Sequence, residues 1–559
     1  MKETLEKEIK SILESFGVKD PKVSFDYPAR MDFGDLSTNV AMAYAKELGK
    51  NPHDLAEEIK EHLVTALPSM KVEVVSGFIN FFFDTNYFSQ IVSKALSDKY
   101  GKNENLKGQK TIVEYTDPNP FKEFHIGHLM PNVIGESISR IIEANGAEVK
   151  RVNYQGDVGL HVAKAVWAIQ KGVDSKSAYV EGHKAYEEDK EAKKEIIEIN
   201  KKIYDKSDEK INKIYENSRK QSLDYFENIY KQLGTKFDFY FFESEVGGFG
   251  KKVVERNIPN VFEKSDPEPE QARYGAGGAV IFRGGKYDPK LHTRVFINKE
   301  GLPTYEAKEL GLAKMKYDKY PYDKSIIVTA NEINEYFKVL LKAMSFVFPE
   351  LAQKTTHISH GMLKLPEGKM SSRTGNIILA DTLINQVKTK ILEKINDDEI
   401  AEVIAIGAIK YFILRQAIGG DIIFDFDKSV SFEGDSGPYL QYATVRANSL
   451  LKKASMSRRH LDICHLAVKP PSDWQTTDLE RLLERFPSVV ERAGSEYAPH
   501  HIVTFLIELA GEFNSFYASH KIIDQTDPTS PYRLALTQAF VFVMSAGLDL
   551  LGIKVPEKM

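Results

Sequence analysis

Residues 111–154 constrain the fold more tightly than any other part of this chain. "TIVEY" (111–115) is a short β-rich run. "LMPNVIGESISRIIEANG" (129–146) has helical periodicity and stops at Asn145–Gly146, and "AEVKRVNY" (147–154) returns to strand character. Ile126, Leu129, Met130, Val133, Ile134, Ile138, Ile141 and Ile142 fall on one apolar stripe. Strand, helix and strand in this order form the parallel crossover of a doubly wound sheet, so the fold class is α/β. Proline is tolerated where a helix has no internal partner for its N–H, so Pro131 places the helix start close to Gly127.

That start carries "FKEFHIGHLM" (121–130). His125 and His128 then stand just past the C-terminal end of a parallel strand, where open α/β sheets bind ligands. Helix N-termini also attract phosphate. Neutral imidazoles can donate N–H bonds to phosphate oxygens, and Gly127, without a Cβ, lets a flat base or ribose approach. A second stretch, "LPEGKMSSRTGN" (365–376), sets Lys369, Ser371, Ser372 and Arg373 between Gly368 and Gly375. A loop hinged on glycines can fold over an anion, and its cations can neutralise a departing pyrophosphate. The plainer reading of that stretch is an exposed basic turn.

The rest of the chain fits around this centre. Residues 1–106 read as a small α/β unit, with "KVEVVSGFINFFF" as two strands broken at Ser76–Gly77 and "GKNENLKGQK" (101–110) as a linker. Residues 186–235 are highly charged with recurring Ile and Tyr, as in a solvated helical insertion, and "RVFIN" and "SIIVTA" read as later strands. Beyond Asp381 the chain reads as helical. With 559 residues, 42% apolar and 28% charged, the composition is that of a soluble globular protein of about three domains. The single cysteine, Cys464, excludes an internal disulfide and a multi-cysteine zinc site, and fits a reducing cytoplasm. No run of 18 apolar residues argues for a membrane span; "AFVFVMSAGLDLLGI" reads as a buried helix. The net charge of −5 neither favours nor excludes nucleic acid.

His125-Ile126-Gly127-His128 with Lys369-Met370-Ser371-Ser372-Arg373 resembles the signature pair of class I aminoacyl-tRNA synthetases. "VEYTDPNPFKEFHIGHL", "NYQGDVG", "GLPTYEAKELG", "EGDSGPYLQYATVRANSL" and "GLDLLGIKVPEKM" resemble the arginyl-tRNA synthetase family, almost end to end. The resemblance implies a small N-terminal α/β domain for the tRNA elbow (1–106), a Rossmann-like parallel-sheet catalytic domain (107–385) and an all-α anticodon-binding domain (386–559). It implies that arginine and ATP form arginyl-adenylate, with Mg2+ accompanying ATP, and that arginine then passes to the terminal ribose of its tRNA. No tightly bound cofactor, resident metal or membrane is implied; a cytoplasmic monomer is.

The same resemblance assigns residues. His125, His128 and Gly127 are expected on ATP, with Lys369, Met370, Ser371 and Arg373 from the second motif. The usual lysine of that motif is replaced by Ser372, and Lys122 is expected to share its cationic role with Lys369. Glu114 and Asn119 are expected at the amino and carboxylate end of arginine, with Tyr305, Glu243 and Glu309 around its guanidinium. Glu309 stands where the family usually has aspartate, and Val158 where it commonly has tryptophan; Asn331 or Glu332 stands in for an expected glutamine.

For tRNA, Tyr439 and Arg446 lie two helical turns apart and suit unstacked anticodon bases. Tyr517, Met559 and the basic run at 452–460 are further candidates, and Asn80 and Phe83 are candidates for the elbow, with core packing the stronger reading for at least one of Phe81 and Phe83. Three readings compete with this one. A cysteinyl-tRNA synthetase would need a cysteine-rich zinc site, which one cysteine cannot build; an inactive tRNA-binding relative and a small-molecule nucleotidyltransferase of the same fold are the remaining two.

Overall fold

Five parallel strands occupy the middle of the chain, in the spatial order β5-β4-β1-β2-β3. They are β1 (Lys110–Glu114), β2 (Glu148–Gln155), β3 (Phe239–Phe242), β4 (Lys324–Ala330) and β5 (Thr355–His360). The structure is a computed structural model and describes residues 1–28, 30–68, 70–265, 278–364, 378–457 and 469–559. β1 pairs with β2 on one side and β4 on the other, Glu114 lying opposite both Val152 and Ile327. The connections reverse direction at β1 and β4, and the crevice beyond their carboxyl ends is the ligand position of such a sheet.

The helix after β1, α1 (Ile126–Ala144), is buried on nearly every side. Its eight-residue apolar stripe is at most 2% exposed, but Asn132, Glu136, Ser137 and Ser139 are buried too. Burial all round marks a helix enclosed in the core of a large protein. Its polar groups are satisfied individually: Glu136 accepts from Arg140, Arg151 and the Tyr115 hydroxyl, and Ser137 donates to the Leu550 carbonyl.

The helical insertion lies between β2 and β3. It comprises α2 (Leu160–Gln170), α3 (Ser175–Glu188), α4 (Lys190–Asp205) and α5 (Glu209–Leu233). Its charge marks only the later helices; the run starts at Leu160, where an apolar helix supplies Val162, Ala163 and Val166 to a core shared with Ile196, Ile199 and Ile203. After β3 come α6 (Glu243–Arg256) and α7 (Tyr305–Lys319).

Residues 101–109 are bound to the end of α1 rather than acting as a loose linker. The Asn103 and Leu106 amides donate to the carbonyls of Ala144 and Asn145. The last carbonyls of a helix need outside donors, and this segment provides them.

Two compact units emerge. One holds Met1–Tyr100, Arg446–Phe486 and Glu508–Met544; the other holds Gly101–Val445, Pro487–Ile507 and Ser545–Met559. In the first, strands Lys71–Val75 and Phe78–Phe82 meet across Ser76 and Gly77, both at positive φ as a tight hairpin demands. Phe81 is fully buried there, in a core with Leu5, Ile9, Leu13, Leu55 and Ile59. From Ala380 onward the chain is mostly helical, as expected. Helix Ser530–Leu550 is long and apolar enough to cross a membrane, yet 67% of its apolar window is buried inside the protein.

Candidate active site

The loop from β1 to α1 is held in an unfavourable conformation. Thr116, Asp117 and Phe121 have φ of +83°, +44° and +69°, values that cost non-glycine residues energy unless their surroundings impose them. The restraints are visible. Asn132 donates to the Thr116 hydroxyl, the Tyr154 amide to Asp117 Oδ1, and the Phe121 amide to the Ser222 hydroxyl on α5.

The helix start differs from expectation in its cause. Ile126 is the first helical residue and Pro131 lies inside the helix, beyond the free N–H groups of the first turn. The two histidines fix the start instead. His125 Nδ1 accepts the Gly127 amide at 3.1 Å, and His128 Nδ1 accepts the His125 amide at 3.3 Å. This is a reciprocal cap built from imidazoles. Gly127 also has a nearer reason to be glycine: a Cβ there would lie 2.8 Å from the His125 ring.

This capping sets the chemistry of the rings. An Nδ1 that accepts an amide carries no proton, so each neutral ring has its proton on Nε2. The rings stack with centroids 3.7 Å apart. Burial, then the Lys122 charge, pushes His125 down to about 4. Burial and His125 hold His128 well below the usual histidine range. The pair is therefore a neutral double N–H donor at physiological pH. His161 on α2 is a third neutral imidazole, pushed down to about 3 by burial and Lys122, with Nε2 2.9 Å from the Gly156 carbonyl.

The second motif, with Lys369, Met370, Ser371, Ser372 and Arg373, lies outside the described residues. Its downstream flank does not. The Ile126 amide donates to the Ile378 carbonyl, the Ala380 amide to the Phe124 carbonyl, and His125 bridges Leu379.

Beside the histidines is an acidic pocket. A Cβ on Gly156 would lie 2.2 Å from Asn119 Oδ1 and 3.2 Å from Glu243 Oε1, so glycine lets these two side chains meet above the end of β2. Asp157, fully buried, accepts the Ser244 amide, the Ser244 hydroxyl and Arg219, which fixes the first turn of α6 next to Glu243. Helices α6 and α7 touch backbone to backbone, because a Cβ on Gly250 would sit 2.0 Å from the Ala307 carbonyl oxygen. That approach brings Lys308 to Glu243 at 2.5 Å. Lys316, further along α7, reaches Glu114 at 2.6 Å, both side chains 2% exposed. Burial works against the Lys316 charge, but Glu114 outweighs it and keeps the ammonium above its usual value.

Glu309 lies between these pairs without a side-chain partner among the described residues. Burial first, then Glu114, pushes its carboxyl up to about 8. Asp117 is pushed well above the usual range by burial and Glu114. The hydroxyls of Tyr154 and Tyr336 are buried without a hydrogen-bond partner among the described residues, and both feel the charges of Glu309 and Glu243. Tyr305 opens α7 at the pocket edge, 57% exposed, with the Lys308 ammonium 5.3 Å from its ring centre. Asn331 and Glu332 lie on the turn after β4; Val158 is buried in the insertion core rather than lining the pocket.

Of the expected residues, His125, Gly127, His128, Glu114, Asn119, Glu243 and Glu309 are thus brought to the carboxyl ends of β1 and β2. Asp117, Tyr154, Lys308, Lys316 and Tyr336 join them unforeseen. Three of these lie in stretches that carry the family resemblance, "TDPN", "NYQGD" and "TYEAKELG", so the motif residues themselves were the available signal.

The expected tRNA residues are spread over both units. Asn80 is 5% exposed within its strand, and Phe83 packs on Tyr87 with centroids 4.5 Å apart. Helix Gly437–Ser457 carries Tyr439 and Arg446, and the Arg446 guanidinium lies 4.1 Å from the Tyr517 ring centre. The terminal segment that ends at Met559 is anchored by Lys410 to the Gly552 carbonyl, Gln441 to the Lys554 carbonyl and Lys558 to Asp397. Of the basic run, residues 452–457 are helical and 458–460 lie outside the described residues.

The chain is similar to known proteins along its whole length. The family model for the class I (R) tRNA synthetase catalytic domain matches residues 91–426; those for the arginyl-tRNA synthetase N-terminal domain and the DALR anticodon-binding domain match 1–83 and 440–559. The arginine–tRNA ligase of Clostridium perfringens is 30% identical over 96% of this chain and 95% of its own. The arginyl-tRNA synthetase structures of Thermus thermophilus (TM-score 0.74, 24% identity, all of both chains) and Plasmodium falciparum (0.79, 19%, 100% and 99%) share the fold. With the catalytic-domain model alone spanning more than half of it, the chain belongs to the arginyl-tRNA synthetases of class I, arginine–tRNA ligases that activate arginine with ATP and transfer it to tRNA.

Proposed function

We propose that arginine is activated between the capped imidazole pair and the acidic pocket beside it. A carboxylate oxygen of arginine attacks the α-phosphorus of ATP; the bond from that phosphorus to the bridging oxygen breaks and pyrophosphate leaves. Negative charge builds on the phosphate oxygens in the transition state, and His125 and His128 donate Nε2–H bonds to them. A fixed neutral donor needs no reorganisation as charge develops, which makes such groups worth about 10²–10³ in rate each. Gly127 keeps the His125 ring folded onto the helix start. Lys122 supplies positive charge nearby, with Lys369, Met370, Ser371 and Arg373 completing the ATP site from the second motif. The observation that carries the reading is the capping geometry, which leaves both Nε2–H groups for the ligand.

Mg2+ arrives with ATP as the counter-ion of its phosphates. The guanidinium sits against Glu309 and Glu243 with Tyr305 at the entrance, and Asn119 and Glu114 face the amino and carboxylate end. In the second step the terminal ribose hydroxyl of tRNA attacks the arginyl carbonyl, its proton passes to the departing phosphate, and the bond from the carbonyl carbon to the phosphate oxygen breaks to release AMP. The tRNA is held at the anticodon by Tyr439, Arg446, Tyr517 and the end at Met559, and at the elbow by Asn80 and Phe83. These divide the work among residues 1–106, 107–385 and 386–559. Incubation with ATP, tRNA and each amino acid in turn tests the reading: arginine alone is charged.

A further inference from the structure

Lys122, half-buried, differs from the buried lysines of the site in what it faces. Lys308 and Lys316 each sit on a carboxylate, which cancels most of their charge. Among the described residues Lys122 makes no ion pair. Its ammonium lies instead over the ring of Tyr179 on α3, 4.6 Å from the centroid. A ring face attracts a cation through its quadrupole but brings no net charge. Burial, then the Lys164 charge, pushes the Lys122 ammonium down to about 8, so it is still mostly protonated at neutral pH, and the ring holds it without cancelling that charge.

The backbone around Lys122 is gripped from the same side. The Phe121 amide donates to Ser222 on α5 and the Phe121 ring stacks on Tyr215 at 5.8 Å. The charge of Lys122 in turn depresses His125, His128 and His161, so all three imidazoles lie near it. The insertion helix thus touches the lysine that stands three residues before His125 and whose charge is felt by the histidine pair.

We infer that Tyr179 is a positioning residue for arginine activation: its ring fixes the Lys122 ammonium beside the imidazole pair, so that the helical insertion contributes to ATP binding and turnover through Lys122. This rests on the proposed role of Lys122 at the phosphates. It gives the insertion a task in the first chemical step.

The test is a double-mutant cycle read by arginine-dependent ATP–pyrophosphate exchange with tRNA present. Tyr179→Leu keeps the helix apolar but removes the ring; it is expected to lower kcat/KM for ATP about 3- to 30-fold, the range for a partly buried cation–π contact. Tyr179→Phe restores the ring and is expected to recover to within about twofold of the unchanged protein. In a Lys122→Met background Tyr179→Leu should cause no further loss. A Tyr179→Leu loss that persists undiminished in that background, or no loss in the single variant while Lys122→Met is impaired, overturns the inference and leaves the Lys122 assignment standing. An unimpaired Lys122→Met removes that assignment, and the inference with it.

Discussion

His125 and His128 stack at 3.7 Å and each surrenders its Nδ1 to a main-chain amide of the same helix turn. Two charged rings at that spacing would repel, and an accepting Nδ1 cannot hold a proton, so structure and electrostatics both require the neutral form. In the proposed phosphate-binding role, the two rings then work across the physiological range without titrating. Since the folded value of His125 is depressed, its stability contribution is present above about pH 6.5 and is lost as pH falls toward about 4. The pH profile of kcat/KM for ATP should therefore show no histidine limb near 6.5, and His125→Ala should flatten the acid limb of the pH–stability curve. NMR titration of the imidazoles checks both; a ring titrating at 6.5 contradicts them.

Glu309 is expected to give up a proton when arginine binds. Its folded-state value, about 8, lies above the ordinary 4.5. Protonation thus favours the folded state: that stability is full below about pH 4.5 and is lost as pH rises through about 8. A guanidinium beside it reverses the preference. Calorimetry in buffers of different ionisation enthalpy should show proton release at pH 7 and tighter arginine binding toward pH 9. Glu309→Gln should abolish the release, weaken arginine about 10- to 100-fold through loss of charged hydrogen bonds, and raise Tm more at pH 8 than at pH 5.

The Glu114–Lys316 pair is buried at both ends. Removing one partner leaves an uncompensated charge, so Lys316→Met should cost about 3–5 kcal/mol in chemical denaturation. Adding Glu114→Gln should recover a large part of it. Additive losses in the double variant would show that the two groups do not act as a pair.

Gly250→Ala drives a methyl into the Ala307 carbonyl. The helices must part, which should cost about 1–3 kcal/mol and separate Lys308 from Glu243. A raised KM for arginine, greater than that for ATP, is the expected kinetic mark.

Much of this centre was legible because it is local in sequence. β1, α1 and β2 follow one another, and His125 to His128 are four residues of one turn. The residues that tune the pocket are not local: Lys316 meets Glu114 across 202 positions and Lys308 meets Glu243 across 65. No periodicity links such pairs; Lys308 meets Glu243 because Gly250 lets α6 and α7 close on each other, and Lys316 reaches from α7 to Glu114 at the end of β1. Pro131 misled for a related reason. Steric rules place it in a first turn, but enclosure of α1 on all sides stabilises the helix enough to carry it one step further in. Charge marked α4 and α5 as an insertion but hid α2, whose apolar face belongs to the same core.

The most direct test of the central claim is amino-acid-dependent ATP–pyrophosphate exchange, with tRNA present, for the unchanged protein and for His128→Ala. Exchange with arginine and with none of the other nineteen, falling about 10²- to 10³-fold in the variant, is the predicted result. Exchange with lysine as fast as with arginine, or a variant as fast as the unchanged protein, would contradict it.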